Sequence, residues 1–334
     1  MKLSSPPTRY AFTSVIAAAM KYGPTRVSRI AYELDMPVET CRYYLKRFHN
    51  AGFRFLPVVD YRALGLQPCI LFIRFSKNLD QAKRENFLRW LDTVYIVYRA
   101  ALDNQLEYYI EVVPPQGEID LLKKMMSMLT EAGVLNNFSL SEVIDGYYQP
   151  AWIKTYDFSK SCWSEKLEIE IAKLPLSSRM GLSKFDKVDL VITKELEKDP
   201  TVKMKKIAHQ YEIPAQLVSY HREKHIEGNR LIVGYIPARR VRHEDLQIYL
   251  LHQAIEEQND GLRDYLLQVK YTSTAIFTTI HAPHNFKLNL RNPTLRINSE
   301  TVRQFTIPLE HFSDGKWTTL NMFVDQLEEL IKTV

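Results

Sequence analysis

The stretch PVETCRYYLKRFHNAGFRFLPVVDYRALG, residues 37–65, contains the pattern that decides the fold. Its first half carries apolar residues spaced three, four and three apart, which is the buried stripe of an amphipathic helix. These residues are Val38, Cys41, Leu45 and Phe48. A proline stands at the first helical position, where it costs no hydrogen bond, and the apolar run Phe53–Val59 follows. The stretch therefore predicts a helix joined to a strand.

The same order of features recurs 177 residues further along the chain, in an alignment without a gap. The matching positions are Ile30-Ala31 with Ile207-Ala208, Pro37 with Pro214, Tyr43 with Tyr220, and Val59 with Ile236. Each copy has a short amphipathic helix, a break that ends in proline, a longer basic helix and an apolar strand. A further helix precedes each copy, over residues 10–22 and 185–198. Three helices and a strand hairpin predict a winged helix-turn-helix head, so two heads are expected.

A segment in which strands and helices alternate follows the first head. It predicts strands at 68–75, 94–101, 106–113 and 138–144 and helices at 79–91 and 118–132, which is the ferredoxin-like order βαββαβ. After the second head, strands at 246–255, 271–280 and 286–292, a helix at 260–269 and a final helix at 320–332 indicate a diverged copy of this module. Residues 294–317 match no clear pattern.

The expected fold class is α+β, with two winged helix-turn-helix domains, each followed by a ferredoxin-like module. The boundaries are 1–60 for the first head, 61–150 for the first module and 151–184 for a bridging segment. The second head is expected at 185–240 and the second, diverged module at 241–334.

Positive charge is concentrated on the two heads. Residues 41–54 carry a net charge of +4 and residues 201–240 a net charge of +5, whereas the whole chain carries only +5. When such clusters bind a polyanion, the counterions condensed on the polyanion are released, and this release favours binding. The charge therefore favours contact with double-stranded DNA over a merely solvated helix face. The expected DNA contacts are Thr40, Arg42, Tyr43, Lys46, Arg47, Arg54, Gln216, Ser219, Tyr220, Lys224, Arg230, Arg239 and Arg240. Tyr44 is also placed to contact phosphate.

The second head departs from the pattern of the first. Arg222 and His225 stand at the places of Leu45 and Phe48. An arginine in a core position is costly unless it is paired, so this helix is expected to be rotated or to serve another role. His221 and His225 have a spacing that suits zinc, but Glu212 is the only acid evident nearby. Histidines that face phosphate are therefore favoured, and no metal is expected.

Several classes of function are not indicated by the sequence. The three cysteines form no C-x-x-C pair, which favours a reducing compartment, and no apolar run reaches the ~18–20 residues that span a bilayer. The N-terminus has no apolar signal core, so a cytoplasmic location is expected. Phosphate-binding glycine loops and hydrolase motifs are absent from the sequence. We therefore expect neither a cofactor nor an enzyme.

The order of these elements resembles the Lrp/AsnC family of archaeal and bacterial transcription regulators. The resemblance rests on Ile30-Ala31, on the basic helix that ends at Gly52, and on VVDYRALGLQPCILFIRF, which contains Asp60 and Leu64-Gly65. The segment LDNQLEYYIEV resembles the central hairpin of that family. The resemblance implies a DNA-binding regulator in which two fused copies pair through their sheets as a pseudo-dimer, or associate further as a homo-oligomer. The two heads would then meet DNA about one turn apart, ~34–36 Å.

The resemblance also implies a site for a small-molecule effector and an alternative activity. Amino-acid effectors of the family bind near a glycine and an aspartate, whose places hold Asn104 and Glu107, so amino-acid binding is not expected here. Some fused Lrp/AsnC-like proteins decarboxylate siroheme, and the candidate residues for that alternative are Arg74, Arg99, His281 and His284. A third possibility is an interaction scaffold whose heads no longer bind DNA.

Overall fold

The computed structural model describes most of both heads and of the first module, and shorter pieces elsewhere. The described residues are 8–102, 105–143, 147–148, 156–157, 162–163, 172–173, 185–239, 246–257, 261–272, 275–281, 295–296 and 303–333. Among them, no helix is long and apolar enough to cross a bilayer.

The first head consists of three helices and one strand, as the sequence predicts. They are α1 (Thr8–Tyr22), α2 (Val27–Glu33), α3 (Val38–Asn50) and β1 (Phe53–Val59). On α3 the buried residues are Cys41, Tyr44 and Phe48, whereas Leu45 is only half-buried. The Tyr44 ring packs edge-on against Phe12 of α1 at 5.7 Å. The expectation that Tyr44 contacts phosphate is therefore wrong, because this side chain belongs to the core.

The first module has the predicted order of strands and helices. Its elements are β2 (Cys69–Phe75), α4 (Gln81–Leu91), β3 (Ile96–Ala101), β4 (Glu107–Val112), α5 (Ile119–Glu131) and β5 (Leu135–Glu142). All strands pair antiparallel in the order β3-β4-β2-β5. Both helices pack on one face of the sheet, and the core includes Phe87 and Leu91 of α4 and Leu122 and Met126 of α5.

The remaining elements follow in chain order. Four short strands come first: β6 (Tyr147–Tyr148), β7 (Tyr156–Asp157), β8 (Cys162–Trp163) and β9 (Ala172–Lys173). The second head contains α6 (Lys187–Lys198), α7 (Met204–Gln210), α8 (Ala215–Tyr220), a π-helix (His221–Glu227) and β10 (Ile232–Arg239). The last part contains β11 (Leu246–Glu257), β12 (Gly261–Thr272), β13 (Ala275–His281), β14 (Leu295–Arg296), β15 (Arg303–Gln304), β16 (Phe312–Ser313), β17 (Lys316–Trp317) and α9 (Asn321–Ile331).

The two halves of the chain exchange strands. β15 comes from the C-terminal part but pairs with β3, which extends the first sheet, and α9 packs against α5. Conversely, β6 and β9 extend the second sheet, whose order is β14-β11-β12-β13-β6-β9. The predicted helix at 260–269 is wrong, because this segment is β12 and pairs along its whole length with β11. The predicted strand at 286–292 lies outside the described residues.

The strands β1 and β10 form one antiparallel ribbon that joins the two heads. α1 of the first head packs on β10, and α6 of the second head packs on β1. The prediction that each head has its own strand hairpin is therefore wrong for the described residues: the ribbon is built from one strand of each head. Because each strand is paired with the other head, the heads are joined by backbone hydrogen bonds.

The π-helix accommodates one extra residue in the second head. Equivalent backbone hydrogen bonds show that the offset between the copies changes from 177 to 178 within this helix. The matched pairs are Cys41 N–Pro37 O with Val218 N–Pro214 O before it, and Gly52 N–His49 O with Arg230 N–Glu227 O after it. Gly52 and Arg230 both adopt positive φ, at 83° and 55°. The gap-free alignment expected from the sequence therefore fails at this point, as expected where a π-bulge absorbs an insertion.

Candidate functional site

The first recognition helix, α3, presents a basic and aromatic face to solvent. Arg42, Tyr43 and Lys46 are exposed, with 60% of Tyr43 accessible. Thr40 is half-buried, and Arg42 forms an ion pair with Glu39 one turn earlier. The other two expected contacts of this head are Arg47, which is half-buried with its guanidinium 5.9 Å from the Phe12 ring centroid, and Arg54, which is exposed on β1. The structure thus brings the predicted residues of the first head onto one region.

Five of the predicted contacts of the second head are exposed. Gln216, Ser219, Tyr220 and Lys224 are exposed on α8 and the π-helix. Arg230 is exposed in the turn that follows. Of the last two expected contacts, Arg239 lies in β10 opposite Phe53, and Arg240 lies outside the described residues.

The junction between the heads uses the arginine that the sequence places in a core position. Arg222 is buried, and it donates to Glu227 at 3.1 Å and to the hydroxyl of Thr25 at 2.8 Å. Arg26 of the first head donates to the same Glu227 at 2.8 Å and to Glu223 at 3.3 Å. The expectation that Arg222 must be paired is met, and its partners lie on both heads. Glu227 therefore links the two heads electrostatically.

A buried carboxylate holds both histidines of the π-helix. Asp189 of α6 is fully buried, and its carboxylate lies 2.9 Å from Nδ1 of His221 and 3.1 Å from Nδ1 of His225. Only 5% of His221 is accessible, so the expectation that this histidine faces phosphate is wrong. Sequence reasoning missed Asp189. Its one local signal is the capping box with Asp186, which marks the start of α6.

The first sheet presents an aromatic face on the side away from α4 and α5. Along β2, Leu71 and Ile73 join the helix side, whereas Ile70 and Phe72 belong to a separate cluster, as strand alternation requires. The other members of that cluster are Tyr98, Ala100, Leu102, Tyr109 and Val143. We call this cluster the open sheet face, because it is packed separately from the core beneath the helices.

Two tyrosines supply hydroxyls on the open sheet face. Burial raises the pKa of both Tyr98 and Tyr109 well above 10, and the nearby Glu111 carboxylate acts in the same direction. The Tyr109 hydroxyl donates to Glu111 at 2.8 Å. Both tyrosines therefore stay protonated at neutral pH, and both side chains are buried.

The residues expected for siroheme chemistry lie in different places. Arg74 is exposed near the end of β2 and pairs with Glu107. It lies two residues after Phe72, so both side chains are on the side of the strand that faces the open sheet face. Arg99 is buried, and it donates to Asp92 through two nitrogens at 2.7 and 2.8 Å. The remaining candidates are His281, which lies in β13, and His284, which lies outside the described residues, as does the effector-site residue Asn104.

Arg99 is occupied by a structural contact. Arg303 of the exchanged strand β15 also donates to Asp92, at 3.2 Å. Asp92 therefore joins β3 to the strand that comes from the far end of the chain. Arg99 is buried and paired with Asp92, so among the candidates whose side chains the structure describes only Arg74 is exposed to a ligand carboxylate.

The chain was compared with protein families, curated proteins and solved structures. No family model and no curated protein matches. The crystal structure of the siroheme decarboxylase NirDL is similar with a TM-score of 0.46 and 12% identity, over 97% of this chain and 99% of that one. The same enzyme in complex with an iron-uroporphyrin III analogue gives a TM-score of 0.45 and 11% identity, over the same shares.

The comparison corrects one expectation from the sequence. Absence of enzymatic activity was expected, but the two solved structures that match over 97% of this chain are those of an enzyme, the siroheme decarboxylase NirDL. The fold itself is the expected α+β arrangement of winged helix-turn-helix heads and ferredoxin-like sheet, with antiparallel strands throughout the described sheets.

Proposed function

We propose that the chain is an enzyme that decarboxylates a siroheme-like tetrapyrrole at its sheet modules, while the joined heads act as a structural brace. The observation that carries this proposal is the ribbon of β1 and β10, reinforced by Glu227 between Arg26 and Arg222. It supports the siroheme alternative of the fused Lrp/AsnC-like proteins over the DNA-binding one.

The joined heads argue against readout of DNA by two equivalent helices. A recognition helix needs its basic side chains free and directed toward the groove. In the second head, however, Arg222 is buried at the junction between the heads. The helix contains a π-helical segment, whose His221 contacts Asp189. In the second head, Arg222 and His221 therefore form contacts inside the protein.

The open sheet face offers chemistry that suits a tetrapyrrole. The macrocycle is flat and apolar and carries carboxylates at its periphery, so it requires an apolar surface with a cation at the edge. Phe72 is the partly exposed aromatic of that face, with its ring centroid 5.5 Å from that of the buried Tyr109, and Arg74 supplies the cation. The ligand carboxylate would replace Glu107 as the partner of Arg74.

Decarboxylation consumes one proton. When the bond to the carboxyl carbon breaks, carbon dioxide leaves and the electron pair remains on the neighbouring carbon, which then takes up a proton. Burial raises the pKa of Tyr98 and Tyr109, so both hydroxyls are weak acids, and both side chains are buried. We therefore assign proton delivery to water and the orientation of the reacting carboxylate to Arg74.

Absorbance titration with iron uroporphyrin tests binding, and mass spectrometry of siroheme after anaerobic incubation tests for loss of carbon dioxide. Arg74→Ala is expected to weaken porphyrin binding roughly 10–100-fold, since a hydrogen bond to a charged group contributes about 1.5–3 kcal/mol. Arg89→Ala is the matched control, because Arg89 is an exposed arginine of α4, on the helix side of the module. The proposal fails if the wild-type chain neither binds the porphyrin nor changes the mass of siroheme.

A second candidate function is binding of duplex DNA through the first head, which the exposed Arg42, Tyr43 and Lys46 favour. The double variant Arg42→Ala/Lys46→Ala should then weaken binding and lower the slope of log K against log salt by roughly 2. Lys123→Ala/Lys124→Ala on α5 removes the same charge outside the heads and should leave affinity unchanged. Fluorescence anisotropy at several salt concentrations decides this, and equal effects of both double variants exclude the candidate.

A further inference from the structure

The geometry points to a binding site for a divalent transition metal, zinc being the best fit, formed by Asp189, His221 and His225 in the second head. One ligand atom of each residue lies within 4.8 Å of the other two. The carboxylate stands between the two imidazoles, at 2.9 and 3.1 Å from their Nδ1 atoms. Three residues of ligand type thus converge from α6 and from the π-helix.

The distances need little adjustment to admit the ion. Zinc bonds to imidazole nitrogen and carboxylate oxygen are about 2.0–2.2 Å, so neighbouring ligand atoms of a tetrahedral site lie about 3.3 Å apart. The two nitrogen–oxygen distances are shorter than this by only a few tenths of an ångström, but His221 faces Oδ1 of Asp189 and His225 faces Oδ2. The carboxylate must therefore turn one oxygen toward the ion, and the rings must move outward, for the hydrogen-bonded cluster to become a coordination site.

The helix type supports a purpose for this arrangement. His221 and His225 both lie in the π-helix, and their ring centroids are 4.4 Å apart. A π-helix is rare, and single turns of it occur frequently at functional sites. At the offset of 177, His221 takes the place of Tyr44, a core aromatic of the regular α-helix in the first head, whereas Ile226 takes the place of Phe48 at the offset of 178. The inserted residue is thus found in the segment that carries the two imidazoles.

The charge and exposure of the cluster also fit a cation. Asp189 is a fully buried carboxylate that accepts from the N–H of Asp186 at 3.0 Å and faces the two imidazoles, and a buried charge requires such donors or a counter-charge. A carboxylate oxygen of Asp186 also lies 3.5 Å from Nδ1 of His221. About a quarter of the His225 side chain is accessible, which provides a route from solvent, and the Tyr220 ring contacts both imidazoles from outside.

The choice of metal follows from the ligand types. Two imidazoles and one carboxylate suit zinc and its transition-metal neighbours, whereas magnesium and calcium prefer oxygen ligands alone. The bound ion would tie α6 to the π-helix, which also carries Arg222 and Glu227 of the head junction. It would therefore stabilise the joined heads, independently of any ligand at the open sheet face.

Calorimetric titration of the chelator-stripped full chain with zinc chloride tests the site. We expect binding of one equivalent of zinc, no binding of magnesium, and the intense visible bands of tetrahedral cobalt when Co²⁺ replaces zinc. His225→Gln should lower the zinc affinity at least ~10-fold and abolish the cobalt bands. This variant is chosen because His225 is the least buried of the three ligands and its replacement is the least disruptive.

His209→Gln is the matched control, since His209 is an exposed histidine of α7 in the same head. It should bind zinc and cobalt as the wild type does, and circular dichroism should show that both variants are folded. Absence of stoichiometric zinc binding, or equal affinity in the wild type and His225→Gln, would overturn the site and leave a hydrogen-bonded cluster only. Loss of binding in His209→Gln would place the ion elsewhere and overturn it as well.

Discussion

The two heads have the same order of helices but different interiors. In the first, the long helix is an α-helix throughout, and its buried residues Cys41, Tyr44 and Phe48 are apolar or aromatic. In the second, Arg222 and His221 are buried on a helix that contains a π-turn. In the second head the inserted residue thus accompanies a helix whose Arg222 is turned toward the first head, while Gln216, Ser219 and Lys224 stay exposed.

The π-turn also explains how the second head keeps a core. Ile226 is fully buried and takes the place of Phe48 once the offset of 178 residues is applied. The residues between Val218 and Ile226 therefore need not match those of the first head. They form the polar contacts with Asp189 and the contacts at the junction between the heads. The first head therefore retains an outward basic face, while the second contributes the brace.

The largest effect is expected at the contact that distinguishes the second head. Glu227→Gln should destabilise the chain by about 3 kcal/mol, because it leaves the buried Arg222 without a charged partner and removes one of the two carboxylates that pair with Arg26. Glu33→Gln removes the exposed pair with Lys21 and should cost at most about 0.5 kcal/mol. Urea unfolding measures both, and comparable losses in the two variants would contradict a structural role for the junction.

A carboxyl group in α6 should make the stability of the second head depend on pH. Burial raises the pKa of Glu197 to about 7, although hydrogen bonds from Ile307 N–H and the Tyr61 hydroxyl oppose this shift. Because the folded pKa lies above the unfolded value of 4.5, the protonated form is favoured by folding, and stability falls as pH rises from 4.5 to 7. The first head has Met20 at the matching position.

Glu197→Gln should therefore reduce the loss of stability between pH 5 and pH 8 by about 1–3 kcal/mol. The glutamine keeps an oxygen that accepts from Ile307 but has no proton to release. Urea midpoints at the two pH values measure the effect, with Glu131→Gln on the exposed side of α5 as control. An unchanged pH dependence in Glu197→Gln would show that this carboxyl is not responsible.

The smallest effect separates backbone strain from close packing at the head junction. Gly23 has φ of 89°, and a Cβ there would lie 2.9 Å from the Tyr235 ring of β10. Gly117 has φ of 86° with nothing within 4 Å, so Gly117→Ala carries the cost of the left-handed backbone alone. Gly23→Ala should be less stable than Gly117→Ala by about 1 kcal/mol. Equal thermal unfolding temperatures would mean that β10 yields to the added methyl group.

The sequence predicts the first half of the molecule well because its signals are local. The apolar stripe of α3, the proline before it and the alternation along β2 are each decided by neighbouring residues. The prediction that Tyr44 is exposed was wrong, because the spacing of residues along α3 is compatible with a buried tyrosine and with an exposed one at this position. The helix expected at 260–269 is a strand, because pairing with β11 overrides an ambiguous apolar pattern.

The candidate sites could be predicted only in part. The exposed face of α3 follows from periodicity, and Arg74 follows from its place at the end of a strand. Asp189 could not be recognised as a partner of His221, because 32 residues separate them and another helix lies between. The strand β15 is two residues long and has no detectable period, so its pairing with β3 has no local signal.

By itself the sequence determined that two winged helix-turn-helix heads exist, that each carries a basic helix, and that a ferredoxin-like sheet follows the first. These properties depend on side-chain spacing within single elements, which is written directly in the order of residues. Only the tertiary structure decided that β1 and β10 pair with each other, that Glu227 bridges two arginines, and that Asp189 meets two histidines. Such contacts join residues distant in the chain, and their free energy depends on burial and distance, which no local pattern contains.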